Sequence, residues 1–221
     1  MQVVTCALNS MQVSTCMDAL DTSKRATGSS VDETRRRLMD AAARIFSRDG
    51  IQGATTRVIA KDAGVNEVTL FRHFKSKEQL VAAVIEKGLA SELALMDAQA
   101  SWTENFREKL SQYVRHYYDH LEQKEAFARA FIAESRGLPE SMQTMIASAI
   151  KPVRDRLIVM LKEAQQAGVI RADLDVECGI DALKNALYAG VLRKSGCIPR
   201  SYTSDAYVDT VVDIFYRGFA A

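Results

Sequence analysis

Proline is scarce in this 221-residue chain, with only Pro139, Pro152 and Pro199. Of these, only Pro152 falls inside a stretch of helical periodicity, where it predicts a kink or a split. The four cysteines (Cys6, Cys16, Cys178 and Cys197) form no CxxC and no dense framework. That excludes a disulfide-stapled secreted scaffold and reads as reduced thiols in a cytoplasmic protein. There is no apolar run of 18 residues, the length a membrane-spanning helix needs. Residues 1–23 contain no Lys or Arg and so lack the positive n-region of a secretory signal. No stretch alternates with period two for long enough to make a strand. HExxH, GxSxG, a phosphate-cradling glycine loop and a Cys–His pair of recognisable spacing are all absent. Nothing argues for catalysis, a metal or a bound cofactor.

What is present is ordinary in bulk and uneven in detail. Apolar residues at 48% and charged residues at 26% are the proportions of a soluble globular protein. A chain of this length buries roughly 70% of its unfolded surface and needs no covalent staple. The net charge is +1, which excludes a uniformly basic coat. The charge is nevertheless segregated: residues 24–77 carry +6, residues 78–221 carry −3 and residues 1–23 carry −2. A basic first part on a mildly acidic second part suggests a nucleic-acid-reading head on a body, although a solvated helix face explains the same count.

The organisation reads as an arm followed by about nine helices. Met1-Gln-Val-Val-Thr-Cys6 nearly repeats as Met11-Gln-Val-Ser-Thr-Cys16, and the segment runs on into a polar stretch ending at Ser30. Residues 1–30 are expected to form a flexible arm, with Lys24 and Arg25 solvated or touching DNA phosphates. Ser30-Val-Asp-Glu33 is a capping box opening helix 1, and Gly50 is its stop. Helix 2 starts near Thr55 or Thr56 and breaks at Gly64. Helix 3 runs from about Asn66 to Phe74, with Asn66 as its cap. Ser76-Lys-Glu-Gln79 opens helix 4, and Ser101-Trp-Thr-Glu104 opens helix 5. Helix 6 ends at Gly137-Leu-Pro139, helix 7 stops at Gly168, helix 8 spans about 175–194 and helix 9 about 204–219. The fold class is all-α.

The stretch Thr55 to Phe74 meets the physical criteria of a helix-turn-helix. Ile59, Ala60 and Ala63 face inward on its first helix, and Gly64 permits a turn with positive φ. Val65, Leu70 and Phe74 face inward on the second helix. That leaves Asn66, Glu67, Thr69, Arg72 and His73 to face out, and a short polar helix of this kind can enter a major groove.

These residues resemble a known family. The runs Arg37-Leu-Met-Asp-Ala-Ala-Ala-Arg-Ile-Phe46, Gly50-Ile-Gln-Gly-Ala-Thr-Thr56, Ile59-Ala-Lys-Asp-Ala-Gly-Val65 and Thr69-Leu-Phe-Arg-His-Phe-Lys-Ser-Lys-Glu-Gln-Leu80 are similar to the DNA-binding domain of TetR/AcrR transcription regulators. The resemblance covers residues 33–85. It implies a three-helix DNA-binding domain over 31–77 and an effector-binding and dimerisation domain over 78–221. It also implies a ligand-responsive repressor acting as a homodimer on a palindromic operator in double-stranded DNA. Carried over, Thr56 caps helix 2 and touches a phosphate, Thr69 contacts DNA, and His73 and Lys77 grip the backbone. Asn66, Glu67 and Arg72 are left for bases or nearby phosphates. Two positions depart from the family pattern. Phe71 stands where Tyr is usual, losing a hydroxyl, and Val68 stands where Gly or Ala is frequent and can meet a thymine methyl group.

The remainder has no motif of its own. Trp102, Phe106, Tyr113, Tyr117, Phe127, Phe131, Met142, Met145 and Met160 are core residues first, and under the resemblance they line a cavity for a small apolar or amphipathic effector. Glu134 recurs on the apolar face and needs a partner, preferably an Arg of the fold, otherwise a ligand. His116 and His120 stand one turn apart but lack a third ligand, and read as surface histidines. Ala182, Ala186, Ala189 and Gly190 of helix 8, with Val208, Val211, Val212 and Phe215 of helix 9, are expected to form the dimer face. Monomer core is the alternative.

Overall fold

The computed structural model describes the backbone of residues 11–194 and 199–221, with side chains from Ser30 onward. The helices are α1 (Met11–Gly53), α2 (Thr56–Asp62), α3 (Glu67–His73), α4 (Lys77–Gln99), α5 (Phe106–Gln123), α6 (Glu125–Glu134), α7 (Glu140–Gln166), α8 (Val176–Lys194) and α9 (Ser204–Phe219). A single 3-10 turn, Ser135–Gly137, joins α6 to α7. Among the described residues the only strand-like pairing is an isolated bridge from Ile170 to Ala220, which ties the last residues to the turn after α7. The all-α expectation holds.

Of the predicted caps, those at Asn66 and Ser76 form. Thr55, Asn66, Ser76 and Thr203 each accept a backbone N–H three residues on, opening α2, α3, α4 and α9. Asp175 accepts from the amides of Glu177 and Cys178 and opens α8. Gly64 and Gly168 take φ of 68° and 73° just past the ends of α2 and α7, and Gly50, at φ 78°, kinks α1 three residues before its end.

Four expectations need correction. First, the helix does not begin at Ser30, because the backbone is already helical from Met11. Thr34 Oγ1 donates to the Ser30 carbonyl at 2.9 Å, the back-bond of a residue inside a helix. No proline lies between Met11 and Asp49 to remove a helical bond. Residues 1–10 and the side chains of Lys24 and Arg25 lie outside the described residues. Second, Thr55 and not Thr56 caps α2. Third, the box at Ser101 does not open α5, which starts at Phe106 after Asn105 in left-handed geometry. Ser101 instead bonds Thr103, while Trp102 is driven fully into the core with its Nε1 donating to Gln99 Oε1 at 2.8 Å. Fourth, α7 runs unbroken through Pro152. Pro152 and Ser148 are both exposed, so water can serve the carbonyl that the proline leaves unpaired.

Two cores share α4. The first gathers Leu38, Phe46, Ile59, Leu70 and Phe74 with Leu80–Ile85 of α4, and it takes in Met142, Ile146 and Ala149 from α7. The second gathers Met96 of α4 with Trp102, Tyr113, Tyr117, Met160, Leu183 and Val212. α4 therefore threads both, joining the head to the body without a linker. Among the described residues no helix is long and apolar enough to cross a membrane.

Candidate nucleic-acid interface and effector region

α3 holds its inward side by burying Leu70 and, at its end, Phe74. Arg35 braces this end from α1: its Nη1 donates to the His73 carbonyl at 3.1 Å, and its guanidinium lies 4.2 Å from the centre of the Phe74 ring. Arg37 of α1 donates to the Ala63 carbonyl at the turn. The opposite side of α3 faces solvent, with Val68 79% and Phe71 44% exposed and Arg72 exposed beside them. Val68 and Phe71 are thus two neighbouring apolar side chains left exposed on α3.

The polar candidates are pre-arranged. Asn66 Oδ1 accepts from the Thr69 amide at 2.7 Å and from the Thr69 hydroxyl at 2.8 Å. The Thr56 hydroxyl donates to Glu67 Oε1 at 2.5 Å, tying the start of α2 to the start of α3. Thr56, Asn66, Glu67 and Thr69 are thus fixed by one another, whereas Val68, Phe71 and Arg72 are free to meet a groove. His73 Nε2 is buried without a hydrogen-bond partner. Burial, then the neighbouring Arg72 and Arg35, holds its imidazole below the ordinary value. Lys77 Nζ donates to the Gln52 carbonyl at 3.2 Å, and burial lowers its pKa.

The expected effector set is not one site. Phe127, Phe131, Met142 and Met145 belong to the head's core, while Trp102, Phe106, Tyr113, Tyr117 and Met160 belong to the body's. Among the described residues Glu134 pairs with no Arg, and it does not enter the body's core. Its Oε2 accepts from the Gln52 amide at 2.8 Å, just past Gly50. A Cβ on Gly50 would come within 1.9 Å of Glu134 Oε1. A carboxylate that sequence spacing placed on an apolar face therefore clasps α6 to the corner between α1 and α2, where Lys77 also reaches. An open cleft of about 400 Å³ at the far end of the body is lined by Phe106, Arg107, Val169 and Tyr216 among others; of the expected set it includes Phe106 alone.

The polar centre of the body was not visible in the sequence. Glu92 of α4, 3% exposed, is the buried charged residue among those described. Its Oε1 accepts from Tyr113 OH at 2.5 Å and from Lys184 Nζ at 3.0 Å. Burial, then the Glu92 charge, pushes the Tyr113 phenol well above its ordinary value, so it stays protonated and donates. Tyr117 and Tyr188 are raised as well, chiefly by burial. Glu92 lies three residues after Leu89 and immediately before Leu93 in α4, and only its tertiary partners Tyr113 and Lys184 mark it. His116 Nε2 lies 3.2 Å from Ser91 Oγ, and among the described residues no three His, Cys, Asp or Glu side chains could hold a metal ion.

The expected dimer face also divides. Gly190, Val208, Val211 and Val212 are buried in the body's own core. Gly190 is required there, since a Cβ would meet the Tyr207 ring at 2.2 Å. Ala182 and Ala189 are exposed, Ala186 and Phe215 half-buried, and Ile214 is 60% exposed. Helical periodicity identified both faces of α8 and α9 without saying which one their own fold would consume. Cys178 is exposed; Cys6, Cys197 and the side chain of Cys16 lie outside the described residues.

Residues 38–84 match the family model for bacterial regulatory proteins of the tetR family, and residues 102–215 match that of the tetracyclin repressor-like C-terminal domain. The HTH-type transcriptional regulator UidR of Escherichia coli K12 is 29% identical over 171 residues, covering 72% of this chain and 80% of UidR. The HTH-type transcriptional repressor KstR2 of Rhodococcus jostii is 25% identical over 184 residues, covering 81% and 89%. Among solved structures, the transcriptional regulator FadR from Bacillus subtilis, in complex with stearoyl-CoA, shares the fold with a TM-score of 0.68 at 21% identity, covering 83% of this chain and 98% of that one.

Proposed function

The chain belongs to the TetR family of bacterial regulatory proteins, and from that premise we propose that it is a ligand-responsive repressor that binds a palindromic operator as a homodimer in the cytoplasm. The observation that carries this reading is α3 itself: Leu70 and Phe74 anchor it, while Val68, Phe71 and Arg72 stand exposed in the basic first part of the chain, residues 24–77, of net charge +6. Seated in a major groove, Arg72 reads guanine bidentately or takes a phosphate, and Val68 and Phe71 meet thymine methyl groups. Thr56, Asn66, Glu67 and Thr69 set the entry angle of the helix and supply the nearer polar contacts. His73 and Lys77 take phosphates, Lys77 by releasing the Gln52 carbonyl.

The DNA-binding unit spans 31–77 and the effector and dimerisation unit 78–221. One head covers too few base pairs for useful specificity, so two are needed, related by a two-fold axis. The exposed faces of α8 and α9, with Ala182, Ala186, Ala189, Ile214 and Phe215, pair with their copies. The effector is a small amphipathic molecule taken up by the body; the FadR neighbour, solved with stearoyl-CoA, supports uptake of an amphipathic molecule by a body of this fold and says nothing of its charge. Its binding shifts α4, which belongs to both cores, and α6, which Glu134 clasps to the head. To release DNA, it must favour one head spacing by a few kcal/mol.

The test is selection of genomic DNA fragments by the purified protein at near-physiological salt, followed by sequencing. Recovery of a short palindrome is expected. Recovery of non-specific DNA alone, with and without cell-extract metabolites, would leave a helical small-molecule binder with a degenerate head.

A further inference from the structure

We propose that the body's effector carries an organic ammonium group and that Glu92 is its receptor, with the Lys184 ammonium occupying that place until the effector arrives. This deepens the regulator reading and rests on its premise that the body takes an effector.

A buried ion pair is weak evidence for stability, because hydrocarbon of the same volume often serves as well or better. Glu92 and Lys184 meet against the aromatic residues Tyr113 and Tyr117 of the body's core. Their surroundings are those of a cation receptor. Lys184 Nζ lies 3.0 Å from Glu92 Oε1 and 4.7 Å from the centre of the Tyr117 ring. Tyr113 stacks on Tyr117 with 6.0 Å between centroids, and Tyr188 meets Tyr117 edge-on at 90°. Ring faces attract cations through their quadrupole, and the attraction strengthens where water is excluded.

Exposure decides which charge can be replaced. The Lys184 side chain is 18% exposed and that of Glu92 5%. Lys184 has a long stem and an opening to solvent, so it can swing its ammonium into water. Glu92 is enclosed and held by Tyr113 at 2.5 Å. An effector cation that displaces Lys184 leaves every buried charge compensated. An effector anion that captures Lys184 leaves Glu92 buried without a cation, the costly arrangement. His120 of α5 is kept below its ordinary pKa by burial, then by Lys124 and His116, with the Glu92 charge opposing them. The net charge of −3 over residues 78–221 favours approach of a cation over an anion.

The experiment measures the melting temperature of the full chain, and its retention of operator DNA, with n-alkylammonium ions and n-alkanoates of matched length, propyl to hexyl, at constant ionic strength. Wild type, Lys184→Ala and Glu92→Gln are compared. The alkylammonium ions are expected to raise the melting temperature of wild type and weaken its hold on DNA, while the alkanoates do neither. Lys184→Ala, lacking the internal competitor, is expected to respond at concentrations ~10-fold lower. Glu92→Gln keeps the size of the side chain but not its charge, and is expected to stop responding. If Lys184→Ala does not fold alone, propylammonium, which supplies the missing atoms, is expected to restore its helical circular dichroism. The proposal is overturned if alkanoates act in place of alkylammonium ions, if Glu92→Gln responds as wild type does, or if no alkylammonium ion moves Lys184→Ala. DNA release by alkanoates alone would keep the regulator reading and end this one. A chain that selects no DNA would end the regulator reading while the melting-temperature series still reports on Glu92.

Discussion

The head buries hydrocarbon and exposes its chemistry, whereas the body encloses its chemistry and exposes little of it. In the head, Leu38, Phe46, Ile59, Leu70 and Phe74 close a core without a charged group, and Val68, Phe71 and Arg72 stand outside. In the body, Glu92, Lys184, Tyr113 and Tyr117 meet inside the helices. The two arrangements follow from what each must meet. DNA is larger than the head and can be read only from its surface. A small molecule can be enclosed, and enclosure strengthens each polar contact it makes. Stability and recognition should therefore separate cleanly in the head and be inseparable in the body.

The largest effect tests the body. Lys184→Met strands the Glu92 carboxylate and should cost about 3 kcal/mol, read as a lower urea midpoint with unchanged slope. The double substitution Glu92→Leu with Lys184→Met should recover most of that loss. A single variant as stable as wild type would remove the body's half of the contrast.

Gly50→Ala tests the boundary between the two units. The left-handed φ of 78° and the approach to Glu134 Oε1 both oppose a side chain there. The expected loss is about 1–3 kcal/mol, together with faster hydrogen exchange at the Gln52 amide that Glu134 holds. Unchanged exchange would mean that α6 is not clasped to the head.

Phe71→Ala sharpens the head's half. With Phe71 44% exposed, stability should move by no more than about 0.5 kcal/mol. Affinity for the selected operator should fall while non-specific binding stays level. Lys77→Ala should instead weaken binding to all sequences alike and flatten the salt slope by about one ion. An unchanged slope would leave Lys77 as a ligand of Gln52 only.

The smallest effect is a proton. His73 is held below its ordinary value of 6.5 in the free head. A phosphate beside it favours the charged form, so binding raises its pKa and takes up a proton. Affinity should then strengthen modestly as pH falls from about 8 to about 5.5, and the trend should flatten in His73→Gln. The same depressed value acts on folding in the opposite sense: the stability it contributes is fully present above 6.5 and is lost as pH falls through the folded value. Acid should therefore loosen the free head while tightening its complex.

Much of this was legible in the residues themselves. The helix-turn-helix needed only Ile59, Ala63, Gly64, Leu70 and Phe74 at their spacings. The caps at Asn66 and Ser76 formed where short polar side chains precede periodic runs. Ser101 failed as a cap because burying Trp102 outweighed a local hydrogen bond. Glu134 and Glu92 show the limit. Both are carboxylates on helices with apolar faces, and period alone pointed to the first. The first turned out to clasp a backbone amide of the head, and the second to sit at the centre of the body.

The order of the helices, the basic head and the outward face of α3 follow from neighbours within about four positions and from local turn chemistry. The division of the aromatic residues between two cores, the faces of α8 and α9 that the monomer consumes, and the pairing of each carboxylate follow from packing between helices. Those outcomes depend on residues such as Glu92 and Lys184, brought within 3.0 Å from α4 and α8 by packing that no local pattern encodes.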